Sequence, residues 1–265
     1  MFESIASYCQ PYRDKLGLVI RRMSTDEVLM IHGDRVFPSA SVIKMAVLWE
    51  FYRRVSEGSL KEEELFVLQN SMKVGKTPYD TGILRDLHDG IQLTLEDLVT
   101  MMIVISDDTA TNILLDLLGI DNINCTMRKL GLKGTRVQRR MMEYDKVRAG
   151  IDNETTAADM DLLFQKIFSC TELLPSCHAK MQSILYRQRY HDSIPRYFSE
   201  DVKIAHKTGT ILEFGLEHDV GVICTKAGNP ILGISAFSQH LENATVVLGR
   251  IAKLAFEELQ ANQVY

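Results

Sequence analysis

The sequence is short of several features that would assign it at once. It has no apolar run near the roughly 20 residues that span a bilayer, so no membrane partner is expected. It has no basic surplus either. Its 30 lysines and arginines stand against 35 acidic residues, and a net charge of -5 offers nothing to a nucleic acid. The five cysteines are odd in number and form no C-x-x-C pair. That argues against a disulfide framework and for reduced, mostly buried thiols. The seven histidines include no H-E-x-x-H. The tightest group of possible ligands, Glu217, His218 and Asp219, reads as polar residues at a strand end, so neither a metal nor another cofactor is expected. The opening MFESIASYCQPYRDKLG lacks a basic start followed by an apolar core, hence a secretory leader. As it stands the chain reads as cytoplasmic, with a periplasmic or secreted place only if a leader had been removed. There is no internal repeat and no low-complexity linker, and a monomer is expected.

What is present is ample core material. The apolar fraction of 46% is ordinary for a globular chain, and the length suits one large domain or two lobes. A helix is expected over 2–12. LGLVIRR and EVLMIHG follow as strands joined by a polar turn at 24–26. The run 42–55 reads as a helix apolar on nearly all sides, which implies burial inside a larger fold. Residues 73–90, KVGKTPYDTGILRDLHDG, read as a loop or short excursion. From 94 to about 187 the pattern is mainly helical. Thr94 and Asp97 resemble a capping box, Gly119 stops a helix that starts near Thr109, and TTAADMDLLFQKIF is a further helix. VKIAHKTG, HDVGVICTK and ILGISAFS return to strands, with a turn at AGNP. The last helix covers 243–260, with Val247, Ile251, Leu254, Ala255 and Leu259 on one face. Early and late strands joining one sheet around an inserted helical segment make the class α+β. The expected division is an α/β lobe of 1–35 with 195–265 and a helical lobe of 36–194, together one domain.

Lys44 lies in the middle of the apolar run FPSASVIKMAVLWEFYRRV. Burying an ammonium is costly without a partner, so Lys44 should be paired, neutral or both. Ser41 lies three residues earlier, on the same helical face. A hydroxyl at a helix N-terminus with an amine one turn further in is an arrangement that can activate a serine. The plainer reading is that Ser39 or Ser41 caps the helix and that Lys44 reaches water along its stem.

Two further segments bear on the choice. ISDDTATNILLDLLG puts Ser106, Asp107 and Asp108 between two apolar helices, where polar residues usually cap. VKIAHKTGT puts Lys207, Thr208, Gly209 and Thr210 at a strand end, where Gly209 would let a ligand backbone approach. In order, Ser-x-x-Lys, Ser-Asp-Asx and Lys-Thr-Gly are the set found in class A β-lactamases and penicillin-binding proteins. The sequence resembles that family over nearly its whole length, and class A most. The resemblance implies a five-stranded antiparallel sheet flanked by helices, with an inserted all-helical lobe. It also implies roles. Ser41 would be the acylated nucleophile, Lys44 would help to deprotonate it, and Ser106 would pass a proton to the leaving nitrogen. Lys207 would support Ser106 and attract a substrate carboxylate that Thr208 hydrogen-bonds. The N–H groups of Ser41 and Thr210 would form an oxyanion hole.

The chain departs from the family in three places. Asp108 stands where the family has asparagine. An ionised carboxylate only accepts hydrogen bonds, so it would pair with Lys44 and make that lysine a poorer base. Counting back from Thr155 and Thr156 puts Arg139 on the family's loop arginine and Met141 where its water-activating glutamate belongs. Glu143 takes that role only if the loop shifts; otherwise Glu143 and Asp145 are solvated loop residues and the acyl-enzyme is long-lived. HDVGVICTK offers no arginine to grip a substrate carboxylate, leaving Arg187 or Arg189 as substitutes. The expected function is a serine hydrolase opening a β-lactam, or a related small amide or ester, through an acyl-enzyme on Ser41. The alternatives are a penicillin-binding or sensor-like module that deacylates poorly, and a D-alanyl peptidase or esterase.

Overall fold

The computed structural model describes residues 2–25, 27–75 and 80–261. Helix α1 (Glu3–Cys9) tightens into a 3-10 turn at Gln10–Lys15, where Pro11 lacks the N–H that would continue an α-helix. β1 (Leu16–Arg22) and β2 (Val28–Ile31) follow; the turn expected between them includes residue 26, which lies outside the described residues. Then come β3 (Phe37–Pro38), α2 (Lys44–Ser56), β4 (Leu65–Val67) and β5 (Gln92–Thr94). The helical part holds α3 (Leu95–Val104), α4 (Asp108–Leu118), α5 (Ile120–Lys129) and the short α6 (Tyr144–Arg148). β6 (Glu154–Thr155), α7 (Ala157–Ser169) and α8 (Pro175–Leu185) lead to β7 (Lys203–Ile211), β8 (Leu216–Cys224), β9 (Pro230–Gln239) and α9 (Ala244–Ala261).

Five strands form one antiparallel sheet in the order β2-β1-β9-β8-β7, so the late strands insert beside the first. Both faces of this sheet are covered. Leu18, Ile20, Ile234 and Ala236 pack with α1 and α9, whereas Val19, Val220, Val222 and Phe237 pack with the helical part. That is why LGLVI reads as a continuous apolar run and not as an alternation. On α9, Val247, Ile251, Ala255 and Leu259 are buried and Leu254 is partly so.

Helix α2 buries every residue from Lys44 to Tyr52. Such a helix is tolerable only if its charges are met inside. Glu50 accepts from Arg53, Arg54 and Thr126 at 2.7–2.9 Å, and these bonds outweigh burial in holding its carboxyl below the ordinary range. The Thr94–Asp97 capping box is present in full. The segment expected as a loop at 73–90 carries a 3-10 turn at Leu84–Asp86, and its residues 76–79 lie outside the described ones. The pair β4–β5, not expected from sequence, closes it at its base. Among the described residues, no helix is long and apolar enough to cross a membrane.

Candidate active site

The turn that carries Ser41 is held from two sides. Ala40 takes a left-handed φ of 45°, and Ala40–Ile43 form a 3-10 turn ahead of α2. Neither Ser39 nor Ser41 caps the helix: the N-cap has no side-chain hydrogen bond, and Ser39 Oγ donates to Ala40 O at 3.2 Å. Gly209 of β7 packs against this turn. A Cβ there would lie 2.9 Å from Val42 Cγ2 and 3.1 Å from both Ser39 O and Val42 N. The missing side chain thus admits the chain's own backbone, where the sequence suggested a ligand's.

His218 fixes the other side. Its Nδ1 accepts from Ser238 N at 3.2 Å, so Nε2 is the donor to Pro38 O at 2.9 Å. Burial, working against the ring's backbone hydrogen bonds, pushes its pKa down to about 4. The unfolded chain takes this proton near 6.5, the folded chain only near 4. Falling pH across that window therefore favours unfolding, by on the order of 3 kcal/mol once it is crossed. Urea unfolding at pH 7 and pH 4.5 should show this loss, and His218→Gln should reduce the difference between the two pH values. Equal acid sensitivity of both proteins would remove His218 as the cause.

Lys44, fully buried, is the hub of the site. Its Nζ donates to Ser106 O at 2.7 Å, to Ser106 Oγ at 3.0 Å and to Asp108 Oδ1 at 2.8 Å. The reading of a stem reaching water is overturned, and Asp108 does pair with Lys44. Lys207, also fully buried, donates to Ser106 Oγ at 3.1 Å and to Thr208 O at 2.7 Å. Burial, followed by the nearby Lys44 charge, holds Lys207 well below the ordinary lysine value despite Asp219 and Asp108. Two amines therefore fill the acceptor capacity of the Ser106 hydroxyl and leave its proton free to donate.

Ser106 stands at a left-handed φ of 56°, between the end of α3 and the start of α4. A serine in that region is uncommon and is held there by its surroundings. Asp107 supplies much of the hold. Its Oδ1 caps α4 through Ala110 N at 2.8 Å, and its Oδ2 accepts from Ile83 N at 2.7 Å and Leu84 N at 2.9 Å. A Cβ on Gly82 (φ 102°) would lie 2.3 Å from that oxygen. This anchor delivers Thr81, whose Oγ1 lies 2.6 Å from Ser106 O and 3.2 Å from Asp108 Oδ2. Nothing in the turn-rich sequence around Thr81 marks it for the site.

Two neighbouring cavities share Ser41, Thr81 and Thr210 in their walls. The smaller, about 90 Å³, is lined by Asp108, Met141, Met142 and Tyr144 among others. Met141 is held on its backbone by Asn112, with N–Oδ1 2.7 Å and Nδ2–O 3.2 Å. Glu143 does not line either cavity: it accepts from Lys146 Nζ at 2.7 Å and Arg140 N at 3.0 Å. Burial alone would raise its carboxyl, but Lys146 and Arg140 hold it below the ordinary value. Asp145 is fully exposed and pairs with Arg148. The larger cavity, about 330 Å³, contains Ser106, Thr208, Asp192 and Glu217. Neither Arg187 nor Arg189 reaches it. Arg187 lines a separate opening of about 690 Å³ between α8 and β7, which lacks Ser41, and Arg189 N bonds to Val104 O at 3.0 Å.

The arrangement is one partly exposed serine, a second hydroxyl held by two buried amines, and a polar cleft between β7 and the helices. The beta-lactamase of Bacillus licheniformis is 23% identical over 238 residues, spanning 88% of this chain and 74% of that protein. The crystal structure of a beta-lactamase from Sphaerobacter thermophilus has a TM-score of 0.87 at 28% identity and covers 98% of each chain. An acyl-enzyme complex of a substituted PBP-A with penicillin G has a TM-score of 0.84 at 22% identity and covers 97% of each chain, a likeness of fold. Residues 1–259 match the model of the Beta-lactamase enzyme family, and this chain, with its five-stranded sheet and its Ser41, Lys44, Ser106 and Lys207 in one site, belongs to that family.

Proposed function

We propose that this chain is a serine hydrolase that opens a β-lactam, or a related small amide or ester, through an acyl-enzyme on Ser41. The observation that carries the reading is the Ser106 hydroxyl held by Lys44 at 3.0 Å and Lys207 at 3.1 Å in the cleft that Ser41 lines. Ser41 Oγ attacks the carbonyl carbon and its proton enters the Lys44–Ser106–Lys207 chain. All three N–H groups of a charged Lys44 already have acceptors. It can take a further proton only after sharing one with Asp108 at 2.8 Å. Lys207, whose surroundings disfavour its charge, is the second acceptor, reached through Ser106. Ser106 returns the proton to the leaving nitrogen. The backbone N–H groups of Ser41 and Thr210 meet the oxyanion, donors of a kind worth about 3–4 kcal/mol each.

A second reading, of an enzyme acylated readily but deacylated slowly, is favoured by Met141 in the cleft and Glu143 turned to Lys146. Intact-protein mass spectrometry with penicillin G and with a chromogenic cephalosporin separates the two. A transient adduct with coloured product is turnover; a lasting adduct is slow deacylation. Ser41→Ala should give no adduct, and Ser39→Ala should still give one. An equal adduct on Ser41→Ala would end the proposal.

A further inference from the structure

The larger half of the cleft has an unusual charge. Among the described residues, its only charged lining side chains are Asp192 and Glu217, both acidic. Glu217 pairs in register with Thr210, next to the Lys-Thr-Gly segment inside β7. Its Oε2 is buried and has no hydrogen-bond partner. Burial, together with the Asp192 charge, raises its carboxyl, against a hydrogen bond from the Thr245 N–H in the first turn of α9. The basic side chains near the cleft have partners within the protein. Lys44 has three acceptors, Lys207 has Ser106 and Thr208, and Arg139 has Asp152 at 2.7 Å. A substrate carboxylate entering this half would meet two acidic side chains and no lysine or arginine among the described lining residues. An N–H cation there would instead be attracted by both carboxylates and could be held by a charge-assisted hydrogen bond.

Resting on the reading of Ser41 as nucleophile, we infer that Glu217 and Asp192 form a subsite for an ammonium or guanidinium group of the substrate, with the Glu217 carboxylate as its principal acceptor. The subsite selects cationic acyl donors over anionic ones. In the test reaction, Ser41 Oγ bonds to the carbonyl carbon of a p-nitrophenyl ester, the bond to nitrophenolate breaks, and the serine proton leaves through the Lys44–Ser106 network to solvent.

The probes are the p-nitrophenyl esters of 4-guanidinobenzoate, benzoate and 4-carboxybenzoate, followed by nitrophenolate release and adduct mass. The guanidino ester should acylate the native chain about tenfold or more faster than the benzoate, and the carboxy ester should be slowest. Glu217→Gln should collapse the guanidino-to-benzoate ratio, and Glu217→Arg should turn the preference toward the carboxy ester. No guanidino preference in the native chain, or an undiminished one in Glu217→Gln, overturns the subsite. So does a native preference for the carboxy ester, which would make Glu217 a protonated donor. If no ester labels Ser41, the nucleophile reading has failed, and benzamidine against benzoate in an equilibrium binding titration decides the subsite alone. Benzamidine binding that Glu217→Gln weakens about tenfold supports it; absent or unaffected binding refutes it.

Discussion

Lys44→Met should slow acylation of Ser41 by about 10²–10⁴-fold, the range for loss of a positioned proton acceptor. It should also destabilise the fold by about 3–5 kcal/mol, because it strands the Asp108 carboxylate. The side chain of Lys44 is fully buried and that of Asp108 is 11% exposed, so water cannot replace the lost partner well. Methionine keeps most of the apolar stem volume, which confines the loss to the charge. The two effects are separable. Adding Asp108→Asn removes the uncompensated charge and should recover most of the stability, while acylation stays slow. The check is a double-mutant cycle with urea midpoints on one axis and adduct formation on the other. Full recovery of acylation in the double variant would mean that Lys44 acts only by neutralising Asp108, and the proton-transfer role would be lost.

Met141→Glu should convert a lasting adduct into one that turns over, with adduct decay faster by about 10²–10⁴-fold. Asn112 fixes the backbone of Met141, and the Met141 side chain shares the small half of the cleft with Ser41. A glutamate there would stand where a water attacking the ester needs a base. Its own burial would raise its pKa toward the working pH, which suits that task. Glu143→Gln is the companion. Because Glu143 faces Lys146 and Arg140 and not the cleft, it should leave adduct decay unchanged. The decay of adduct mass after excess penicillin is removed reads both. An unaltered decay in a Met141→Glu protein of native melting temperature would show that the missing base is not what limits deacylation.

Much of the fold was legible because its signals are local. LGLVI and ILGISAFS announce strands covered on both faces, and the Thr94–Asp97 capping box needs only four consecutive residues. The core of the site was legible through a resemblance, because three short motifs in order match those of the class A β-lactamases. Ser41 and Lys44 are tied by helical spacing, and Ser106 and Lys207 each lie in a short motif whose neighbours set its backbone. What failed was whatever depended on a long-range contact. The size of Gly209 was read as room for a ligand, but the space is filled by the turn across the cleft. Thr81 sits in a turn-rich stretch and enters the site only because Asp107, more than twenty residues away, grips Ile83 and Leu84.

The sequence by itself determined the α+β class, the joining of early and late strands in one sheet, and the ordered serine and lysine set. The first two follow from periodicity and element order, and the third from the resemblance of three short motifs to the class A β-lactamases. Only the tertiary structure decided how charge is distributed around that set. It paired Lys44 with Asp108, turned Glu143 to Lys146, kept Arg187 and Arg189 out, and put Glu217 and Asp192 in the cleft wall. The physical reason is that a charge is tuned by whichever groups lie within a few ångströms through space. Those groups come from α2, α4, β7, β8 and two loops, a convergence that no stretch of chain carries within itself.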